Sequence, residues 1–307
     1  MHTIDFVWDK AMGNIRVGTC SWTDQTLIKA GTFYPPAAKS AEARLSYYAS
    51  QFNIVEVDSS YYALPSRRNA TLWVERTPDD FVFDVKSFRL FTQHPTQPQS
   101  IPADIRGSLP RAIADKPRMY YRDVPSELMD HMWSRFVDAL LPLDSAGKLG
   151  VVLFQFPPWF HPGIQQMDHI LECKSRVTSY KVAVEFRNNA WLSERNVDST
   201  LSFLRDHDLA FVCVDEPQGF KSSVPPVTAV TSDTAIVRFH GRKGETWEKK
   251  NVTAVERFDY YYDTNELSPW AASIKECAAK ANDVHVLFNT NNGDQGIVNA
   301  RLMATMF

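Results

Sequence analysis

Cysteine is scarce in this chain: Cys20, Cys173, Cys213 and Cys277 are the four residues, and no two form a Cys-x-x-Cys pair. A chain of 307 residues has no need of a disulfide framework. Reduced thiols and a cytoplasmic location are the expectation. Long apolar runs are missing too. Stretches such as Val151–Phe154 are far shorter than the roughly 20 residues of a membrane span. The first ten residues carry Asp5 and Asp9 and do not read as a secretory signal. No charge of one sign dominates: the net charge of -3 selects neither nucleic acid nor an anionic membrane, although a local basic patch remains open. The glycine pattern G-x-G-x-x-G and the Walker motif are absent, which leaves dinucleotide and nucleoside-triphosphate sites without support. No H-x-H or H-E-x-x-H spacing marks a metal site, and no internal repeat or low-complexity tract is present.

What is there is a rhythm. Hydrophobic residues make up 44% of the chain, enough for one large core. Eight short runs rich in branched and aromatic residues fall near 15–20, 53–58, 81–86, 149–156, 181–186, 210–215, 235–240 and 284–289. Most are apolar on both parities until their last residues, as buried parallel strands are. Helical patterns separate most of them. Ser40 and Ser66 are suited to cap two helices, and Leu128, Met132, Trp133, Phe136 and Leu140 make an apolar stripe over 126–141. Further helices are predicted over 164–174, 197–207, 269–281 and 297–306. Between the sixth and seventh runs there is little room for one. Eight strands alternating with helices predict an α/β fold, either a doubly wound sheet or a (β/α)8 TIM-type barrel, and the strand count favours the barrel, forming one domain over 1–307. Residues 92–125 hold six prolines and are expected to be an ordered rim or lid inserted after the third strand.

Side chains alternate along a strand. If the parity that carries the last polar group faces the barrel axis, the inward sets are Ile54/Glu56/Asp58, Val82/Asp84/Lys86, Val151/Leu153/Gln155, Ala183/Glu185/Arg187, Phe211/Cys213/Asp215, Ile236/Arg238/His240 and His285/Leu287/Asn289. Most run from apolar to polar toward the carboxyl end, where such barrels keep their active sites. The groups gathered there have mixed sign, so either they pair into a plug or they meet a ligand.

Several stretches together resemble the YecE-like family, also called domain of unknown function 72. They include Gly18–Trp22 (GTCSW), Phe52–Tyr62 (FNIVEVDSSYY), Phe81–Lys86 (FVFDVK), Phe154–Pro157 (FQFP), Val184–Asn188 (VEFRN), Val237–Arg242 (VRFHGR) and Phe288–Asn289, within a coverage of roughly 14–305. The resemblance implies a TIM-type barrel and supplies no reaction.

Read from the residues, Glu56, Glu185, Asp215 and His240 are the candidate catalytic groups. Trp22, Asp58, Tyr61, Tyr62, Lys86, Gln155, Arg187, Asn188, Arg238 and Asn289 are the candidate binding groups. Glu56 and Glu185, roughly opposite in an eight-stranded barrel, suit paired-carboxylate chemistry on a sugar. Trp159 and Trp191 could add stacking surfaces. Lys86, Arg187, Arg238 and His240 converge on one mouth and suit phosphate or carboxylate, with Arg238 and Lys86 as chief contacts. Gly293-Asp-Gln-Gly296, ahead of the last helix, offers a second anion cradle. No cofactor is predicted. A metal-dependent isomerase- or endonuclease-like barrel with a divalent metal on Glu56, Glu185, Asp215 and His240 is an alternative, opposed by the neighbouring cations. Cys20 as a nucleophile with His240 as base is another. The expected partner is a small anionic or sugar-like ligand. A non-catalytic module binding single-stranded nucleic acid or protein stays open, and the oligomeric state is not legible.

Overall fold

The computed structural model describes residues 12–307; the amino-terminal segment read above for a secretory signal lies outside them. Eight parallel strands close into a barrel in sequence order. They are β1 (Asn14–Thr19), β2 (Ile54–Val57), β3 (Val82–Lys86), β4 (Leu149–Gln155), β5 (Val182–Glu185), β6 (Ala210–Asp215), β7 (Thr234–Phe239) and β8 (Asp283–Phe288). All eight predicted runs are strands. The helices are α1 (Gln25–Ala30), α2 (Ala41–Ala49), α3 (Arg67–Glu75), α4 (Ala103–Arg106), α5 (Arg111–Ala114), α6 (Ser126–Ser145), α7 (Ile164–Arg176), α8 (Val197–Asp206), α9 (Gly244–Trp247), α10 (Ala254–Arg257), α11 (Thr264–Ala278) and α12 (Gln295–Ala304). As expected, no helix stands between β6 and β7. Among the described residues no helix is long and apolar enough to cross a membrane.

Local chemistry sets the helix starts. Ser40 Oγ accepts from Ala43 N at 3.0 Å and Ser66 Oγ from Asn69 N at 3.1 Å, so both predicted caps are made. The helix expected from Pro269 begins five residues earlier. Asp263 and Glu266 form a capping box there, each side chain accepting from the other's backbone N–H. Pro269 lies inside the helix instead of opening it.

The main core lies between the strands and the helices, with Phe83, Trp133, Phe136, Phe154 and Trp191 fully buried in it. A second, small apolar cluster of Cys20, Ile54 and Leu287 fills the barrel axis, with Val82 against it. The axis is not wholly apolar below the mouth. Asp84 Oδ2 meets His285 Nδ1 at 3.0 Å, and Val151 N donates to Asp84 Oδ1 at 3.0 Å. The register between β3 and β4 shifts at this point, and Gly150 lies against Asp84. A Cβ on Gly150 would come within 2.3 Å of Asp84 Oδ1, so the close approach requires glycine.

The insertion over 92–125 is ordered, as expected, but it is also a core element, which corrects the reading of it as a rim alone. Thr96 and Met119 pair in a two-residue antiparallel bridge. Between them Ile101, Ile105 and Leu109 turn into the outer core, and Arg135 of α6 is 2.7 Å from Asp104 of α4.

Candidate active site at the barrel mouth

Partners in a parallel register share a face of the sheet. Glu56 pairs with Asp84, Gln155 with Glu185, and Arg238 with Leu287. These residues face the axis, as predicted. Strand β6 does not follow the prediction. Val214 is the register partner of Arg238, and Asp215 that of Phe239. Phe239 packs against Trp270 and Tyr262 on the helix side. Asp215 therefore leaves the mouth. It accepts from Arg242 Nη2 at 2.8 Å, from Trp270 Nε1 at 3.0 Å and from the Tyr262 hydroxyl. Cys213 goes with it, its thiol 3.7 Å from the Ala229 carbonyl. Both parities of β6 are apolar, so its last polar residue is a false guide. The next residue, Glu216, supplies the carboxylate that faces Arg187.

At the centre stands Arg238, with no exposed surface. Its Nε and Nη2 grip both oxygens of Glu56 at 2.9 and 2.7 Å, and its Nη1 donates to Glu185. Nη2 also lies 3.5 Å from Cys20 Sγ. Each nitrogen of the guanidinium thus has a protein partner, and Arg238 turns inward rather than toward a ligand. Glu185 is the most engaged acceptor. Gln155 Nε2 donates to it at 2.7 Å, His240 Nε2 at 3.0 Å and Arg187 Nη1 at 3.3 Å. His240 completes the ring, its Nδ1 accepting from Asn289 Nδ2 at 3.0 Å.

Burial and pairing divide the titrating groups. Burial pushes Glu56 up to about 7 against the pull of Arg238 and Lys86. Burial also opposes the charge on Glu185, but Arg238, His240 and Arg187 together hold its carboxyl well below the usual range. One guanidinium is shared by two carboxylates, and the more fully hydrogen-bonded charge of Glu185 wins it. Burial, aided by Arg187, lowers His240 to about 3, so its imidazole is neutral. Burial raises Glu216 to about 7, although Arg187 Nη1 is 2.7 Å from its Oε2 and Val224 N donates to its Oε1 at 2.7 Å.

The β3 and β5 side of the mouth is basic. Lys86 Nζ donates to Asp58 Oδ1 at 2.8 Å and stands 4.6 Å over the Tyr61 ring. Burial works against the Lys86 charge, but Asp58 and Glu56 outweigh it and raise its pKa. Arg89, three residues on, lies 5.2 Å over the same ring. Its guanidinium meets no carboxylate among the described residues, and its Nε is buried without a hydrogen-bond partner. Arg187 stacks 4.9 Å over Trp247. Between these cations sits His94, its ring 5.3 Å from Tyr61 and its Nδ1 2.9 Å from Thr92 Oγ1. Burial, then the fields of Lys86, Arg89 and Arg187, push His94 down to about 3. One neutral imidazole thus feels three cations.

Sequence reasoning missed Arg89, His94 and Glu216. Each lies just past a strand or inside the insertion, where no alternation marks its direction. It also assigned groups that the fold uses elsewhere. Trp22 is buried edge-on against Trp73 and Phe83 in the outer core. Trp191 stacks on Phe186 and Phe160 and donates to the Phe160 carbonyl, so it offers no platform to bases or sugars. Asn188 caps the turn after β5 through Ala190 N and binds the Pro158 carbonyl. Tyr62 is half exposed beside Tyr61. At Gly293–Gly296 the cradle is occupied: Gly293 N donates to Thr26 Oγ1, and Asp259 holds Asn292 and Gln295. Asp259 and Asp294 make that helix start acidic. The Cys20 thiol is pushed well above its ordinary pKa by burial, and the side chain that donates to its sulfur is Arg238 and not His240. Among the described residues no group of three or more His, Cys, Asp or Glu is arranged to hold a metal ion. Glu56 and Glu185 close on Arg238 instead of flanking open space, which leaves paired-carboxylate cleavage of a sugar without its geometry.

The family model described as protein of unknown function DUF72 matches residues 16–307. The UPF0759 protein YunF of Bacillus subtilis is 34% identical over 294 residues, covering 94% of this chain and 93% of that protein. The crystal structure of a DUF72 family protein from Enterococcus faecalis superposes with a TM-score of 0.75 at 25% identity, covering 95% of this chain and 94% of that one. A DUF72 family protein from Thermotoga maritima superposes with a TM-score of 0.73 at 28% identity, covering 95% and 98%.

Proposed function

The chain belongs to the DUF72 family of proteins of unknown function, and on that premise we propose that its barrel mouth binds a small anionic molecule beside Lys86, Arg89 and Arg187. The observation that carries this reading is Arg89. A guanidinium that is partly buried over the Tyr61 ring and meets no carboxylate among the described residues keeps an uncompensated charge until an anion reaches its open edge. Lys86 and Arg187 reinforce it. Only one hydrogen bond to a side chain, that to Asp58, engages the three N–H donors of the Lys86 ammonium. Only Nη1 of Arg187 is held by carboxylates, which leaves its other edge for a ligand. Charge-assisted bonds from such donors to phosphate or carboxylate are each worth roughly 1.5–3 kcal/mol. Arg238, expected as a chief ligand contact, has a different part. With Glu56, Glu185 and His240 it forms the floor of the site.

Inorganic phosphate tests the reading. At constant ionic strength, phosphate should raise the melting temperature of the wild type and do so much less for Arg89→Ala. Arg242→Ala, on the outer side of the barrel wall, should keep the wild-type response. Equal responses from wild type and Arg89→Ala, or no response beyond ionic strength, would sink the proposal.

A further inference from the structure

Trp159, in the loop after β4, leaves 53% of its surface exposed. Its indole and the His94 ring meet in a T-shaped contact, ring centroids 5.8 Å apart. The same indole forms a wall of a cleft of about 270 Å³ whose other walls are Gln93, Tyr120, Tyr121 and Arg122. The insertion builds this cleft. The Thr96–Met119 bridge returns the chain so that Tyr120–Arg122 come back beside Gln93. Gln93 itself adopts a φ of 62°, a left-handed conformation that a side chain disfavours. Such conformations concentrate at ligand clamps.

We infer that this cleft holds the sugar ring of a phosphorylated monosaccharide, with the phosphate lying in the basic mouth. The inference rests on the anion reading of Lys86, Arg89 and Arg187 and gives its ligand a chemical class. Two features of the cleft select it. First, a half-exposed indole stands beside an amide and a guanidinium. The C–H face of a sugar ring packs on such an aromatic surface while its hydroxyls bond to the polar neighbours. Second, the cleft abuts His94, the imidazole that feels Lys86, Arg89 and Arg187 and whose ring meets the Tyr61 ring under Lys86 and Arg89, so a ring seated there directs its anionic substituent toward the cations. The volume is below the range of roughly 300–1,000 Å³ that drug-sized ligands fill, so it takes one ring and not an oligosaccharide.

The experiment compares melting-temperature titrations of the wild type and Trp159→Ala with inorganic phosphate, glucose, ribose 5-phosphate, glucose 6-phosphate and fructose 6-phosphate at matched ionic strength. At least one sugar phosphate should act at a concentration about tenfold below that of inorganic phosphate, equivalent to about 1.4 kcal/mol. Trp159→Ala should remove that advantage and leave the phosphate midpoint unchanged. Arg122→Ala should reduce it in the same way. If phosphate binds and no sugar phosphate exceeds it, or if Trp159→Ala weakens both equally, the ring subsite is wrong and the anion site stands. If phosphate and all three sugar phosphates are silent, the anion site has failed, and the subsite fails with it.

Discussion

Asp215 and Glu216 are neighbours in sequence and point to opposite sides of the barrel wall. Asp215 holds Arg242, Tyr262 and Trp270 together on the helix side, while Glu216 faces inward to Arg187. The division follows from strand alternation and from the register of β6 on β7. The two acids therefore serve different ends. Asp215 ties α11 to the wall, and Glu216 orients a cation of the mouth.

The Arg238 hub makes the first prediction. Arg238→Ala should leave Glu56 and Glu185 buried without their shared cation and destabilise the protein by about 3–5 kcal/mol. Glu56→Gln should lose less, because Arg238 keeps Glu185, although the new amide nitrogen would face one of the guanidinium donors that Glu56 now accepts from. Urea denaturation at pH 7 measures both. Equal losses would mean that the Glu56 arm accounts for the whole contribution of the hub and that the Glu185 arm adds nothing.

A second prediction concerns pH. His169 of α7 places Nε2 2.9 Å from the Phe91 carbonyl and Nδ1 3.3 Å from Glu172, whose other oxygen accepts from the Tyr121 hydroxyl. Burial works against the imidazolium. The Cys173 sulfur, Glu172 and the Phe91 carbonyl favour it and raise it to about 10. A raised folded pKa means that the stability is fully present below the unfolded value of about 6.5 and is lost as pH rises toward 10. The stability difference between wild type and His169→Asn should therefore shrink between pH 6.5 and 10, by on the order of 2 kcal/mol. A difference that stays constant over that window would show that His169 is neutral.

The insertion gives a third. Ile105 is 1% exposed and lies in the outer core. Ile105→Ala should destabilise by about 2–5 kcal/mol, as a core deletion does. A loss below about 0.5 kcal/mol in denaturant unfolding, the size of an ordinary surface change, would make the insertion a detached rim.

The fourth is Gly150→Ala. The added methyl group would press on Asp84 Oδ1 and on the His285 ring, whose Cε1 is 2.9 Å from the ideal Cβ position. Overpacking of this kind costs about 1–3 kcal/mol. Unchanged stability would indicate that β4 can shift its register at the bulge without penalty.

Eight strands, the missing helix after β6, the site of the insertion and the inward facing of Glu56, Lys86, Gln155, Glu185 and Arg238 are legible in the order of residues alone. Those follow from local rules, because strand length, apolar runs and alternation are written within a few consecutive residues. The rest depends on the closed barrel. In β6 both parities are apolar, so only the register against β7 could separate Asp215 from Glu216. Past the strand ends alternation stops, and the directions of Arg89, His94, Asn188 and Trp191 depend on loops folded against distant elements. Charge pairing is likewise a property of the closed barrel. Arg238 reaches Glu56, 182 residues away in the chain, and Arg89 reaches no acid among the described residues, and nothing in either residue's neighbourhood in sequence separates the two.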